Sequence, residues 1–222
     1  MSSIVAKIVS SVFGAPRHTK IAILGLDGAG GLDLLKRVCD TAIEQHTDKT
    51  RATAYTGTNH TLKFDFVVAE VGGNATAEYH RWTAQQFCDA DAFIWVVDST
   101  DTDRLMESQW EMKICRQGRR LMYGLVQPAV RSEAPWLVLI DFKRNPLSIA
   151  HATEQAELVT VDGRHDLDWT FRAVSITTAE GLEEAMIWLH KKLKRRGLRE
   201  IGQDPFAGRL KKFRLRDASF AK

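Results

Sequence analysis

Residues 20–39 predict a strand, a glycine-bearing turn and a helix in immediate succession, and this succession constrains the fold more than any other feature of the chain. The apolar run at residues 21–24 predicts a buried strand. Gly25 and Gly30 then have the spacing of the phosphate-binding loop G-x-x-x-x-G-K-[ST], in which backbone N–H groups surround phosphates. The sequence therefore predicts the scaffold of such a loop.

The two side chains that normally give this loop its charge and its metal ligand are replaced. Gly31 occupies the lysine position, and Leu32 occupies the Ser/Thr position whose hydroxyl ligates Mg²⁺. Each charge-assisted hydrogen bond lost from such a site is worth about 1.5–3 kcal/mol. We therefore expect Mg²⁺ binding at this loop to be weak or absent.

Five segments, in order along the chain, resemble the Arf and Arf-like small GTPases. Residues 25–30 match the family's G-L-D-x-A-G loop, residues 66–74 its W-D-V-G-G-Q strand end, and residues 93–104 its F-V-V-D-S-x-D-x-x-R segment. Residues 136–145 match the strand that leads into N-K-x-D, and residues 169–182 match the segment with the S/C-A-K/T loop. The resemblance covers about residues 1–193. It implies an α/β fold of the P-loop small-GTPase type, with a mostly parallel six-stranded sheet and helices on both faces.

The resemblance also implies a vestigial nucleotide-binding site. Its residues would be Gly25, Asp27, Gly28, Ala29, Gly30, Gly31, Leu32, Gly73, Lys143, Asn145, Ser175, Ile176 and Thr177. Asn74 stands where the family has the Gln that orients the attacking water, and Glu70 replaces the Asp that supports the metal. We therefore expect no catalytic residue and no metal ligand, since Leu32 and Glu70 hold the altered Mg²⁺ positions.

The base-recognition motif N-K-x-D is altered in the same direction. It becomes Phe142-Lys143-Arg144-Asn145, in which only the lysine survives. Together, the losses should cost on the order of 5 kcal/mol, or roughly 10³–10⁴-fold in affinity. GTP hydrolysis is not expected. The sequence leaves open whether the loop amides alone bind GTP or GDP. Thr53, Thr56 or Thr58 would take the place of the family's switch I threonine.

Charge is distributed unevenly along the chain, which divides into an N-terminal amphipathic helix (residues 1–15), a G domain (18–193) and a basic C-terminal extension (194–222). Residues 191–222 hold twelve Lys/Arg and three Asp/Glu, a net charge of +9, whereas the rest of the chain has a net charge of −6. Such a tail suits an acidic protein partner or an anionic membrane surface. Nucleic acid is disfavoured because no RNA-binding fold accompanies the tail.

The compartment is left open by the N-terminal residues. An amphipathic helix before the first strand is an Arf-family trait, and it favours an intracellular protein that is cytoplasmic or peripheral to a membrane. The first 26 residues contain no Asp or Glu and several Ser, which is also typical of a mitochondrial transit peptide.

Three functions are compatible with these patterns. The first is an Arf-like pseudo-GTPase that serves as a structural or adaptor subunit of a larger assembly and is gripped through its N-terminal helix and basic tail. The second is a GTP-binding switch with very slow or no hydrolysis, in which Lys20, Lys36 or Arg144 replaces the missing cation. The third is a module that binds anionic membranes.

Overall fold

A computed structural model describes residues 18–49, 51–71, 77–117, 119–121, 124–127, 134–143 and 169–197. The strands are β1 (Thr19–Gly25), β2 (Glu44–Thr47), β3 (Thr53–Asn59), β4 (Phe64–Glu70), β5 (Ala92–Asp98), β6 (Arg119–Leu121), β7 (Gly124–Gln127), β8 (Trp136–Asp141) and β9 (Trp169–Val174). The helices are α1 (Gly31–Val38), α2 (Ala77–Phe87), α3 (Leu105–Gln117) and α4 (Leu182–Gly197), and a 3₁₀ turn (Thr102–Arg104) precedes α3.

The main sheet has seven strands in the order β2-β3-β4-β1-β5-β8-β9. The five strands β4, β1, β5, β8 and β9 are parallel. At one side β3 pairs antiparallel with β4, and β2 pairs antiparallel with β3. The expected mostly parallel sheet is confirmed, but the expected number of six strands is wrong. The additional strand is β2, whose four residues are all polar and exposed, so it carries no hydrophobic pattern.

Helices cover both faces of the sheet. On one face, α1 and α4 pack their apolar residues, such as Leu35 and Met186, onto Ile23 and Phe66. On the other face, Phe87 of α2 and Met112 of α3 belong to a second core cluster. The central strands β1, β5 and β8 are covered on both sides, which explains why their sequences are continuous apolar runs rather than alternating ones.

All the parallel strands end at the same side of the sheet, which we call the carboxyl end. The loops that follow β1, β4, β5, β8 and β9 therefore meet there, as ligand sites of open α/β sheets do. This places the segment after Gly25 beside Glu70, its partner in the β1–β4 register, and beside Asp98, the last residue of β5.

Several sequence predictions lie outside the described residues: the N-terminal helix, Gly73, Asn74, Arg144, Asn145 and the chain beyond Gly197. Helix α4 continues through residues 194–197, so the first four residues of the expected C-terminal extension are helical. Within the described part, none of the helices has the length and apolar character needed to cross a bilayer.

Candidate functional site

The segment from Gly25 to Gly30, which we call the glycine loop, turns the chain from β1 into α1. Gly28 has φ 73° and Gly30 has φ 98°, both in the left-handed region that favours glycine. Gly30 is the N-cap of α1, and no side chain caps that helix. The loop thus has the backbone shape that the sequence predicted, with the helix N-terminus directed toward the carboxyl end of the sheet.

The first two residues of α1 are built into the packing of the domain. A Cβ atom on Gly31 would lie 3.2 Å from Val68 Cγ1 and 3.6 Å from Ile23 Cγ2. Leu32 is partly buried and packs against the core cluster under α1. A lysine at position 31 would require Val68 to yield by a few tenths of an ångström.

The glycine loop has one internal backbone hydrogen bond and lies beside a carboxylate. Ala29 N donates to Leu26 O at 3.1 Å. Partial burial and the charge of Asp27 raise the pKa of Glu70, and the nearby Gly28 amide lowers it by less. An anionic side chain of the protein therefore lies beside the loop, where a phosphate-binding loop would surround a phosphate.

Arg104 holds the glycine loop from the side of α3. Its guanidinium donates to Asp27 Oδ1 at 2.7 Å and to Asp27 O at 3.1 Å, and its Nε donates to Asp101 Oδ2 at 2.7 Å. Asp27 is thus fixed through both its side chain and its backbone. All three nitrogens of the guanidinium thus donate to carboxylates or a carbonyl of the chain itself.

Lys143, the one residue kept from the base motif, binds the end of β5. Its Nζ donates to Asp98 Oδ2, and Thr100 donates to Asp98 Oδ1 from both its backbone N and its hydroxyl, at 2.9 and 2.7 Å. Burial alone would raise the pKa of Asp98, but the hydrogen bonds from Lys143 and Thr100 outweigh it and hold the pKa below its usual value. Lys143 therefore has a structural partner.

We expect Lys143→Met to lower the free energy of unfolding by about 1–3 kcal/mol at pH 7, because Asp98 would keep its charge without its cation. A carboxyl whose pKa is lowered by folding contributes stability above its unfolded pKa and loses it as the pH falls through the folded value. The difference from wild type should therefore shrink below about pH 4. Urea denaturation of both proteins at pH 7 and pH 3.5 measures this. Equal stability at pH 7 would contradict the structural role.

Asp141 is the site residue that sequence reasoning missed. It lies next to Asp98 in the β5–β8 register and is 2% exposed. Its Oδ1 accepts hydrogen bonds from Ile176 N at 3.2 Å and Lys143 N at 3.3 Å. Burial raises the pKa of Asp141, and the two amides and the Lys143 charge offset this only in part. A carboxylate ending an otherwise apolar strand was the available signal.

The predicted base loop, Ser175-Ile176-Thr177, does lie against the glycine loop. Ile176 Cδ1 is 3.3 Å from the position that a Cβ on Gly30 would take, and Arg37 of α1 donates to Thr177 O. Ser175 is fully buried and its Oγ accepts from Thr178 N at 3.2 Å. Because Ile176 N donates to Asp141, this amide is occupied by the protein itself.

Two of the three cations considered as substitutes for the missing lysine are placed elsewhere. Lys20 is at the start of β1, roughly 16 Å along the strand from Gly25 at about 3.3 Å per residue, and its Nζ pairs with Asp89 at 2.5 Å. Lys36 is exposed and pairs with Asp33 at 2.8 Å. These two replacements are therefore wrong, and Arg144 lies outside the described residues.

The threonines considered for switch I belong to strand β3 and bond within the β2–β4 part of the sheet. Thr53 Oγ1 is 3.2 Å from Thr47 Oγ1, Thr56 Oγ1 is 3.1 Å from His46 Nε2, and Thr58 Oγ1 donates to Asp65 Oδ1 at 2.8 Å. All three lie within β3, and Thr53 precedes Ala54, which pairs with Ala69 next to Glu70 at the carboxyl end of the sheet. The expectation that one of them takes the place of a switch threonine stays a prediction.

The charge balance around the glycine loop is negative. Among the described residues joined by these contacts, five carboxylates stand against two cations: Asp27, Glu70, Asp98, Asp101 and Asp141 against Arg104 and Lys143. Each cation already pairs with a carboxylate. The described residues therefore do not fit a magnesium triphosphate, which needs an oxygen ligand at Leu32 and uncommitted positive charge.

Comparison with known proteins gives consistent results. Residues 5–193 match the model of the ADP-ribosylation factor family. The chain is 29% identical over 181 residues to ADP-ribosylation factor-like protein 3 of Chlamydomonas reinhardtii, covering 80% of this chain and 92% of the relative. It is 27% identical over 189 residues to ADP-ribosylation factor-like protein 1 of Saccharomyces cerevisiae, covering 85% and 95%.

A solved structure supports the fold. The crystal structure of the small COPII coat GTPase Sar1 from Encephalitozoon cuniculi in complex with GDP matches with a TM-score of 0.58 and 16% identity, covering 89% of this chain and 92% of that one. At this identity the match concerns the fold alone. It confirms the α/β architecture that the sequence predicted.

Proposed function

The chain belongs to the ADP-ribosylation factor family, and we propose that it is a pseudo-GTPase that works as a non-catalytic structural or adaptor subunit. In this proposal the fold supplies a binding surface, and no cycle of GTP binding and hydrolysis operates. Small GTPases of this family act through protein partners and membranes, so a protein partner is the natural target of that surface. The N-terminal helix and the basic tail are the proposed attachments.

The proposal rests on one observation. At the carboxyl end of the sheet, hydrogen-bond donors that a nucleotide would need are bonded to carboxylates of the chain itself. Arg104 and Lys143 are bonded to Asp27 and Asp98, and the Ile176 amide is bonded to Asp141. With Gly31 and Leu32 at the start of α1, this removes the charge and the metal ligand. The relatives carry ordinary Arf-like names, so the proposal rests on this chain's own residues.

We expect isothermal titration calorimetry of the purified full chain with Mg·GTP to show affinity roughly 10³–10⁴-fold below that of a site retaining the lysine, the magnesium-binding hydroxyl and the base-binding carboxylate. The double variant Gly31→Lys/Leu32→Thr should raise the affinity at least about tenfold, since it returns a cation and a hydroxyl. Sub-micromolar binding by the unaltered chain would overturn the proposal.

The double variant Gly31→Ala/Leu32→Val is the matched control. It imposes the same Cβ contact with Val68 but supplies neither charge nor hydroxyl, so its affinity should stay at the level of the unaltered chain. If both double variants bound Mg·GTP equally well, Gly31 and Leu32 would not be the cause of the weak binding.

A further inference from the structure

Helix α3 carries an apolar patch on its outer side. Met106 is 71% exposed and Trp110 is 62% exposed, and they are the large hydrophobic residues that stand out as exposed in the described part of the chain. Four positions apart on a helix, they lie one above the other on the same face. An exposed tryptophan beside an exposed methionine is an apolar surface that another apolar segment can cover.

Acidic groups surround the N-terminal side of this patch. Asp103 is exposed and Glu107 is partly exposed beside Met106. Because α3 starts at the carboxyl end of the sheet, Glu70 and Asp27 lie on the same side of the domain, and the carboxylate of Asp27 is paired with Arg104. Lys113, one turn beyond Trp110, is an exposed cation on the same face and bounds the acidic surface away from the carboxyl end.

We propose that this surface, Met106 and Trp110 with the acidic groups around them, is the docking site of the chain's own basic segment at residues 209–216. That segment reads Arg-Leu-Lys-Lys-Phe-Arg-Leu-Arg: five cations, no carboxylate, and three apolar side chains between them. Leu210, Phe213 and Leu215 meet the apolar patch, and the cations face the acidic groups. The match is one of charge and of apolar character together.

The length of chain beyond α4 allows this docking. Helix α4 begins at the carboxyl end of the sheet and runs back, so Gly197 lies toward the opposite end and on the opposite face from α3. Eleven residues separate Gly197 from Arg209, and at about 3.3 Å per extended residue they span up to ~36 Å. Helix layers on the two faces of a sheet lie ~20 Å apart, and the 16 residues of α4 rise ~24 Å from the carboxyl end. The start of α3 is therefore ~31 Å from Gly197 in a straight line, so the connecting residues must be nearly extended.

The N-terminal segment is a poorer occupant of the same surface. It carries one cation, Lys7, among its first thirteen residues and therefore offers little to an acidic surface. It also joins β1 at Thr19, at the opposite end of the sheet from the start of α3. The proposed docking goes beyond the pseudo-GTPase role. Because it holds residues 209–216 against the domain, a partner that binds this part of the tail must displace them. Nucleotide titration and the test below can fail separately.

Fluorine NMR of the full chain labelled with 5-fluorotryptophan tests the docking. The resonance of Trp110 is identified by Trp110→Phe, and its shift between H₂O and D₂O reports solvent contact. We expect a small solvent shift in the unaltered chain and a full one in Leu210→Ser/Phe213→Ser/Leu215→Ser. Trp188, on α4 at the opposite face with Lys192 over its ring at 5.6 Å, should not change and is the internal control.

A second variant, Ile201→Ser/Phe206→Ser, removes apolar residues of the tail outside the proposed segment and should leave Trp110 protected. Raised salt should expose Trp110, because exposed charges are screened within about 8 Å at physiological ionic strength and within less at higher salt. Protection that disappears on dilution would assign the site to the tail of a second copy and overturn docking within one chain. Full solvent contact of Trp110 in the unaltered chain, or protection that survives the 210/213/215 variant, would also overturn it.

Discussion

Replacing Gly25 by alanine is expected to lower the free energy of unfolding by about 3 kcal/mol. The added Cβ would lie 2.8 Å from the carbonyl oxygen of Val96, its neighbour in the β1–β5 register. The Val96 oxygen is a backbone atom and the Cβ is attached directly to the backbone of a central strand, so neither can move aside as the end of a side chain can. Chemical denaturation followed by far-UV circular dichroism measures the loss.

Gly28→Ala is the matched control within the same loop. A Cβ on Gly28 would meet nothing within 4 Å, so this variant has only the cost of the left-handed backbone at φ +73°, about 1 kcal/mol. The two variants thus separate close contact from backbone conformation. A Gly25→Ala protein that is no less stable than Gly28→Ala would contradict the packing of β1 against β5.

Asp141 is expected to show the second large effect. Asp141→Ala should cost about 2–4 kcal/mol at neutral pH, because the Ile176 and Lys143 amides lose their acceptor. Asp141→Asn retains an oxygen at the Oδ1 position. It should therefore be at least as stable as the unaltered chain at pH 7. The free energies of unfolding of Asp141→Asn and Asp141→Ala should then differ by the full cost of the lost hydrogen-bond acceptor.

The pH dependence of the asparagine variant follows from the raised pKa of Asp141. A carboxyl whose pKa is raised by folding holds its proton more tightly in the native state, so stability falls as the pH rises from about 4 through the folded value. Above that value the cost of the buried charge is present in full, and below the unfolded pKa it is absent. Asp141→Asn should thus gain stability relative to the unaltered chain between pH 4 and pH 7.

Urea denaturation of the three proteins at several pH values checks this expectation. Glu70 also has a raised pKa, but it is common to all three and cancels in the differences. A stability difference between the asparagine variant and the unaltered chain that is constant with pH would show that Asp141 does not titrate as a buried carboxyl.

Local patterns predicted the elements that carry continuous apolar runs. Strands β1, β4, β5 and β8 could be predicted from the sequence because burial on both faces requires a near-continuous apolar sequence. Strand β2 was not readable, because its Glu-Gln-His-Thr residues are exposed and their only structural role is to pair with β3. An edge strand of this kind is fixed by backbone hydrogen bonds to its neighbour, which leave no mark in side-chain composition.

The candidate site was predicted in its location but not in its contacts. Gly31 and Leu32 could be identified from spacing alone, since they follow the glycines at fixed positions. The importance of Asp141 could not, because its partners Ile176 and Lys143 are brought to it by the β8–β9 pairing and the following turns. Lys143 could be identified from the base motif, but its bond to Asp98 depends on the pairing of β5 with β8.

The sequence by itself determined the family fold and the loss of the cation and the hydroxyl from the glycine loop, because both depend on residues that are close in the chain. Only the tertiary structure decided how the remaining charges are used. Arg104 and Asp27 are 77 positions apart and Lys143 and Asp98 are 45 apart, so their pairing depends on strand order rather than on spacing. The electrostatic field at a site is the sum of the contributions of the charged groups around it, and the fold decides which charged groups these are.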